Sequence, residues 1–276
     1  MCLSKPTNGA KAIPFESFTG SKGQAGTFQR IIGQMPPHTI YVEPFAGSAV
    51  IFRAKRPALV SILIEINPAV SARLGVPDQN PTTSITVVNG DAISWLGPSG
   101  WRLNGHSLLP LTKQVLVYVD PPYLLATRQQ RLHYADEPEV HDPKWHTRLL
   151  ALLQSLDCHV MLSGYPSELY SSQLRGWRCL SYRTRTRGKT LTECLWCNFP
   201  EPTELHDWRY AGKNFRQRTS FKRLAARWLE RLDKMPPLQR GYVLNAIAQR
   251  ESWRCPRSTS DSARGAVATN AAAAVT

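Results

Sequence analysis

Two hydrophobic periods alternate along this chain. Runs rich in Val, Ile and Leu recur at residues 39–43 (TIYVE), 59–66 (LVSILIEI), 84–89 (SITVVN), 114–120 (QVLVYVD) and 159–163 (HVMLS). Each is nearly continuous in its apolar character, which is the pattern of a strand covered on both faces. Between them the spacing becomes helical. In residues 143–156 (PKWHTRLLALLQSL), Trp145, Leu149, Leu152, Leu153 and Leu156 fall on one face, and Pro143 suits a first turn. A shorter helix is predicted over 167–174 (SELYSSQL), and residues 177–199 read as two strands around a Gly188-Lys189 turn. Buried strands alternating with helices predict an α/β fold with a mostly parallel sheet, closed here by an antiparallel hairpin.

After the hairpin, residues 200–216 have no clear period, and residues 217–250 predict two basic amphipathic helices interrupted at Pro236-Pro237. The small, polar end of the chain is expected to be disordered. The patterns therefore divide the chain into a catalytic domain at 12–200, a basic helical extension at 201–255 and a tail at 256–276.

Charge changes this picture because it is unevenly placed. Residues 1–174 carry 14 Lys and Arg against 12 Asp and Glu, whereas residues 175–276 carry 20 against 8. A cationic last third points to a polyanionic partner held mainly by that part of the chain. No run of 18 apolar residues occurs, and the N-terminal MCLSKPTNGAKAI lacks an apolar signal core, so a soluble cytoplasmic protein with no membrane partner is expected. The six cysteines show no framework spacing and are expected as free thiols. Cys194-Leu-Trp-Cys197 has no second pair at zinc spacing and lies in a predicted strand, where residues three apart face opposite ways, so no metal site is expected. His133, His141 and His146 are expected at solvated positions, and Trp177, Trp196, Trp208 and Trp228 as core and rim packing.

Candidate chemistry follows from what stands after each strand, since ligands of open parallel sheets bind beyond the carboxyl ends of the strands, where strand order reverses. The first strand ends in Glu43-Pro44-Phe45-Ala46-Gly47-Ser48-Ala49, a small-residue loop that lets a ligand approach the backbone. The second ends in Glu65, 18 positions beyond Gly47, where a carboxylate suits ribose hydroxyls, and Asp91 follows the third. Glu43, Phe45, Gly47, Glu65 and Asp91 thus form a candidate cofactor rim. Neither a dinucleotide fingerprint nor a phosphate-binding P-loop is present, so a ligand with ribose and adenine but no phosphate, such as S-adenosylmethionine, fits best.

The fourth strand ends in Tyr118-Val119-Asp120-Pro121-Pro122-Tyr123. Asp120 and the Pro121 carbonyl can accept the two hydrogens of a planar amine, Pro122 stiffens the turn, and Tyr123 offers a flat face to stack on the ring. In the hairpin, Arg183, Arg185 and Arg187 share one side at period two, and with Lys189 they suit phosphates. Arg128 and Arg131, in the segment after Tyr123, are further candidates for contact with a nucleic-acid backbone.

E-P-F-A-G-S-A followed by D-P-P-Y strongly resembles the S-adenosylmethionine-dependent, adenine-specific DNA methyltransferases of the Dam type, especially phage members, over about residues 15–250. The resemblance also takes in F-T-G-S-K-G at 18–23, with Lys22 as the lysine of that family's N-terminal cofactor motif, and E-C-L-W-C-N-F at 193–199 and E-L-H-D at 204–207. It implies a Rossmann-like methyltransferase fold, S-adenosylmethionine as cofactor without a metal, double-stranded DNA as partner, and methylation of a flipped-out adenine. Two features depart from the family. Ala49 stands where the loop usually has a second glycine, and only residues 92–119 separate Asp91 from Asp120, where a recognition lobe is commonly inserted. The alternatives are an adenine methyltransferase acting on RNA and a basic DNA-binding module with a vestigial cofactor fold.

Overall fold

A computed structural model describes residues 22, 26–74, 82–103, 105–124, 142–186 and 189–254. Arg128, Arg131, Arg187, His133, His141 and the tail at 256–276 lie outside the described residues. The chain forms two compact units, residues 1–218 and 219–276.

In the first unit the five apolar runs become strands: β1 (Ile40–Glu43), β2 (Val60–Glu65), β3 (Ser84–Asn89), β6 (Val115–Val119) and β7 (His159–Gly164). Two two-residue strands, β4 (Arg102–Leu103) and β5 (His106–Ser107), pair as a separate ribbon inside the spacer before Asp120. The hairpin comprises β8 (Arg178–Thr186) and β9 (Lys189–Cys197). The seven long strands form one sheet in the order β3-β2-β1-β6-β7-β9-β8. β1, β2, β3, β6 and β7 pair in parallel, while β9 runs antiparallel to both β7 and β8. This is the expected α/β class, a mostly parallel sheet closed by an antiparallel hairpin.

Strand order reverses between β1 and β6, because successive strands step one way from β1 and the other way from β6. The ends of these two strands therefore flank the natural crevice of the sheet. Side-chain alternation gives the sheet two apolar layers. Val42, Ile62, Ile64, Val117 and Val119 point to one, which is filled by Leu149, Leu150 and Leu153 of α5 (Pro143–Gln154), Tyr170 of α6 (Glu168–Gln173) and Leu96 of α4 (Ala92–Leu96). Tyr41, Leu63, Leu116 and Tyr118 point to the other, under Ile31 and Ile32 of α1 (Thr27–Ile32), Ile51 of α2 (Val50–Ala54) and Leu74 of α3 (Pro68–Leu74). Cys194 belongs to the first layer and Cys197 to the second, so the C-x-x-C pair is split by the sheet itself.

Some placements differ from expectation. His146 is buried and its Nδ1 lies 2.9 Å from the Tyr170 hydroxyl, because position 146 shares the inner face of α5 with Leu149, Leu150 and Leu153. Trp208 is 62% exposed in a short 3-10 turn (Trp208–Tyr210), whose inward anchor is the neighbouring Asp207. Trp228 is 54% exposed, with the Arg231 guanidinium 5.2 Å from its ring centre. Residues 201–218 fall within the first unit. There the Asp207 carboxylate accepts the Arg56 amide at 2.9 Å and pairs with Arg209 at 2.6 Å. The second unit holds most of α7 (Phe215–Asp233) and all of α8 (Pro237–Arg254), separated at Pro236-Pro237 as their sequence requires.

Candidate active site

Asp120 stands one residue beyond the buried strand β6, at the reversal of strand order. The prolines that follow stop the strand, since neither can donate to a ladder. The Tyr123 hydroxyl, three residues on, donates to Asp120 Oδ1 at 3.1 Å. The Tyr123 ring meets the Tyr165 ring edge to face at 4.5 Å, so the chain just after β7 supports the aromatic wall from the next strand over.

Lys22, although remote in sequence, reaches the same point. Its Nζ lies 3.1 Å from Asp120 Oδ1 and 3.4 Å from Glu193 Oε2, donates to the Tyr123 hydroxyl, and sits 4.8 Å from the Tyr123 ring centre. Lys22 and Glu193 are each only 6% exposed. Burial opposes the lysine's charge, but the carboxylates of Asp120 and Glu193 outweigh it and hold the ammonium well above the ordinary lysine range. Burial, followed by the charge of Asp120, raises the Tyr123 hydroxyl well above the usual phenol, so it remains a donor.

Glu193 escapes a reading of the sequence alone. It projects from β9 opposite Tyr182 of β8, whose hydroxyl donates to Glu193 Oε2 at 3.2 Å. A signal was present, because a single carboxylate within the apolar stretch LTECLWC requires a buried partner.

The candidate cofactor rim is built around the loop after β1. Gly47 adopts φ +48°, in the left-handed region, and a Cβ built there would meet no atom within 4 Å. Its amide donates to Glu65 Oε2 at 2.8 Å, while Glu65 Oε1 accepts the Asn67 amide at 2.9 Å. Glu65 therefore ties the loop to the end of β2. The Asn89 side chain donates to the carbonyls of Glu65 and Ile66, each at 2.9 Å, fixing the same strand end from β3. Asp91 is exposed and caps α4, accepting the Ser94 amide at 2.7 Å through Oδ2. Phe45 is half-buried against the edge of Trp145, with ring centres 6.0 Å apart.

Glu43 does not join this open rim. Tyr41 and Glu43 are two apart in β1 and so point to the same buried layer, where the Tyr41 hydroxyl donates to Glu43 Oε2 at 2.8 Å. Glu43 is 3% exposed, and burial pushes its carboxyl up to about 8.

Of the hairpin cations, Arg183 is exposed, and Arg185 and Lys189 lie in the paired strands. Among the described residues no cluster of three or more His, Cys, Asp or Glu side chains could hold a metal ion, and no helix is long and apolar enough to cross a membrane.

No protein-family model and no curated protein sequence matches this chain. Among solved structures, TrmK of M. capricolum in complex with S-adenosyl-homocysteine is 7% identical, covers 83% of this chain and 97% of that one, and gives a TM-score of 0.38. A SAM-dependent methyltransferase from Agrobacterium tumefaciens is 13% identical, with 62% and 58% of the two chains covered and a TM-score of 0.35. The 23S rRNA methyltransferase ErmE is 11% identical, with 65% and 69% covered and a TM-score of 0.36.

Proposed function

We propose that this protein transfers the methyl group of S-adenosylmethionine to the exocyclic 6-amino group of a flipped-out adenine in DNA, with no covalent enzyme intermediate. The observation that carries the reading is the Asp120 carboxylate at the reversal of strand order, already engaging an ammonium, Lys22, and a hydroxyl, Tyr123, beside an aromatic wall. A site that holds one N–H donor at a carboxylate next to a ring face has the chemistry to hold a planar amine there.

The rim fits the cofactor. Space is open over Gly47, and the Glu65 carboxylate is fixed by two backbone amides with further acceptor capacity for a ribose diol. Asp91 Oδ1 makes no hydrogen bond among the described residues and can accept one from the ligand. When bound, the cofactor supplies an electrophilic sulfonium methyl. Glu65 and Asp91 would hold its sugar and base, and Phe45 would wall the crevice.

Asp120 acts on the substrate. The adenine amine is a weak nucleophile because its lone pair is conjugated into the ring. Accepting its hydrogens at Asp120 and the Pro121 carbonyl favours a pyramidal nitrogen and stabilises the positive charge that develops there, and once methylated the nitrogen sheds one proton to solvent while the spent cofactor leaves as a neutral thioether. The Tyr123 face offsets part of the few kcal/mol that extruding a base from a duplex costs. The basic hairpin and C-terminal helices would hold the phosphates.

Incubation with labelled S-adenosylmethionine and unmethylated duplex DNA or RNA, followed by nucleoside analysis, tests the assignment. Label is expected in 6-methyladenine from DNA. Label from RNA alone would transfer the reading to RNA, and no label from either would leave a basic nucleic-acid-binding module. Asp120→Ala is expected to lower turnover by at least about a thousandfold while cofactor affinity changes less than about threefold. Parent-rate methylation by that variant would remove Asp120 from the reaction.

A further inference from the structure

Glu193 is a buried acid that touches neither cofactor nor amine in the proposed transfer. Burying a carboxylate is costly unless it is paired, and here two carboxylates, Asp120 and Glu193, face the single ammonium of Lys22. The arrangement is therefore not a simple ion pair, and one negative charge is left over.

The proposed chemistry indicates what that surplus does. Lys22 Nζ lies 3.1 Å from Asp120 Oδ1, within the zone an incoming amine must enter, and its charge opposes the positive charge that would develop on the amine nitrogen. Were Lys22 paired with Asp120 alone, the carboxylate would be neutralised just where it is needed. Glu193 Oε2, 3.4 Å from the same ammonium and fixed by the Tyr182 hydroxyl at 3.2 Å, is a second acceptor already in place. We propose that Glu193 is a positioning residue for the transfer step, holding Lys22 so that Asp120 can direct its charge to the substrate amine. The proposal rests on the reading of Asp120 as amine acceptor, and it makes Lys22 a movable counter-ion shared by two acids. No group is oxidised or reduced, and Lys22 keeps its proton throughout.

Glu193→Gln keeps the shape and an acceptor for Tyr182 but removes the charge. It is expected to lower kcat by about tenfold or more, with the KM for S-adenosylmethionine changed less than about threefold, and Glu193→Asp should recover part of the loss. In a Lys22→Met background the same Glu193→Gln change should cost less than about threefold, because no ammonium remains to compete. A purely structural Glu193 would cost the same in both backgrounds.

Competitive acetylation read by mass spectrometry, with exposed Lys144 as internal reference, needs no turnover. Lys22 should label faster in Glu193→Gln than in the parent, since one of the two charges that hold it protonated is gone. An equal kcat loss in both backgrounds, or an unchanged labelling ratio, would overturn the proposal. The two failures are separable: a parent protein that methylates nothing removes the proposed role of Asp120, whereas an active parent with an unmoved Lys22 removes that of Glu193.

Discussion

Single residues carry the site at two kinds of position, where the backbone is unusual and where a polar group is buried. Gly47 holds φ +48° beneath open space, so Gly47→Ala is expected to cost about 1 kcal/mol of stability and to weaken cofactor binding by placing a methyl where the ligand approaches, both measurable by thermal melting and calorimetry. Ala49 also lies at φ +49°, yet its methyl is buried. Replacing it with glycine relieves strain but loosens the unfolded chain and removes packing, so Ala49→Gly should shift stability by less than about 1 kcal/mol. The loop thus holds two left-handed residues, a glycine at 47 and an alanine at 49.

A buried histidine pair sets a pH dependence. The rings of His38 and His206 stack with centres 3.7 Å apart, near Lys55, Arg56 and Asp207. Burial holds both below the ordinary histidine value of 6.5, His206 at about 4. A depressed pKa in the folded state means the unfolded chain binds the proton first. Their stabilising contribution is therefore whole above pH 6.5 and is lost as pH falls towards 4. Melting temperature should decline as pH is lowered through that window, and the decline should be shallower in His206→Gln. The sequence displayed Asp120, Tyr123 and Glu65 because each follows an apolar run whose end could be located. It hid Glu193 and the His38–His206 stack because their partners lie on elements far apart in the chain, and local spacing carries no information about such pairs.

Among the elements, the buried parallel strands were the most legible, since continuous Val and Ile runs leave little choice of period. The short pieces were not. The β4–β5 ribbon offers only two residues a side, too few to show alternation, and α1 spans just Thr27–Ile32. His146 was misplaced because a histidine on a helix reads as polar until its turn is compared with Leu149, Leu150 and Leu153. The hairpin and α7 permit a quantitative test. Arg183 is exposed on β8, and Lys222, Arg223 and Arg227 are exposed on α7. For a double-stranded DNA ligand, every phosphate that is no longer neutralised by a protein cation should reduce the slope of log K against log salt by about 0.9. Replacing Lys222, Arg223 and Arg227 together with Gln should flatten it by about 2 to 3 if all three meet phosphates. A filter-binding titration across salt concentrations decides this, and an unchanged slope would leave the α7 charges outside the interface.

For the molecule as a whole, order in the sheet departs from order in the chain. β9 lies between β7 and β8, although β8 is synthesised first. β8 therefore cannot settle against β7 without occupying the edge that β9 takes in the finished sheet. The acid that completes the charge cluster rides on β9, while its lysine stands near the start of the chain. A nascent chain halted on the ribosome before β9 would carry Lys22 and Asp120 without Glu193 and would leave the β7 edge unpaired, so interrupted translation should yield fragments that are prone to aggregate and lack the assembled site. In this topology the strand that covers the β7 edge is also the one that carries Glu193 to Lys22.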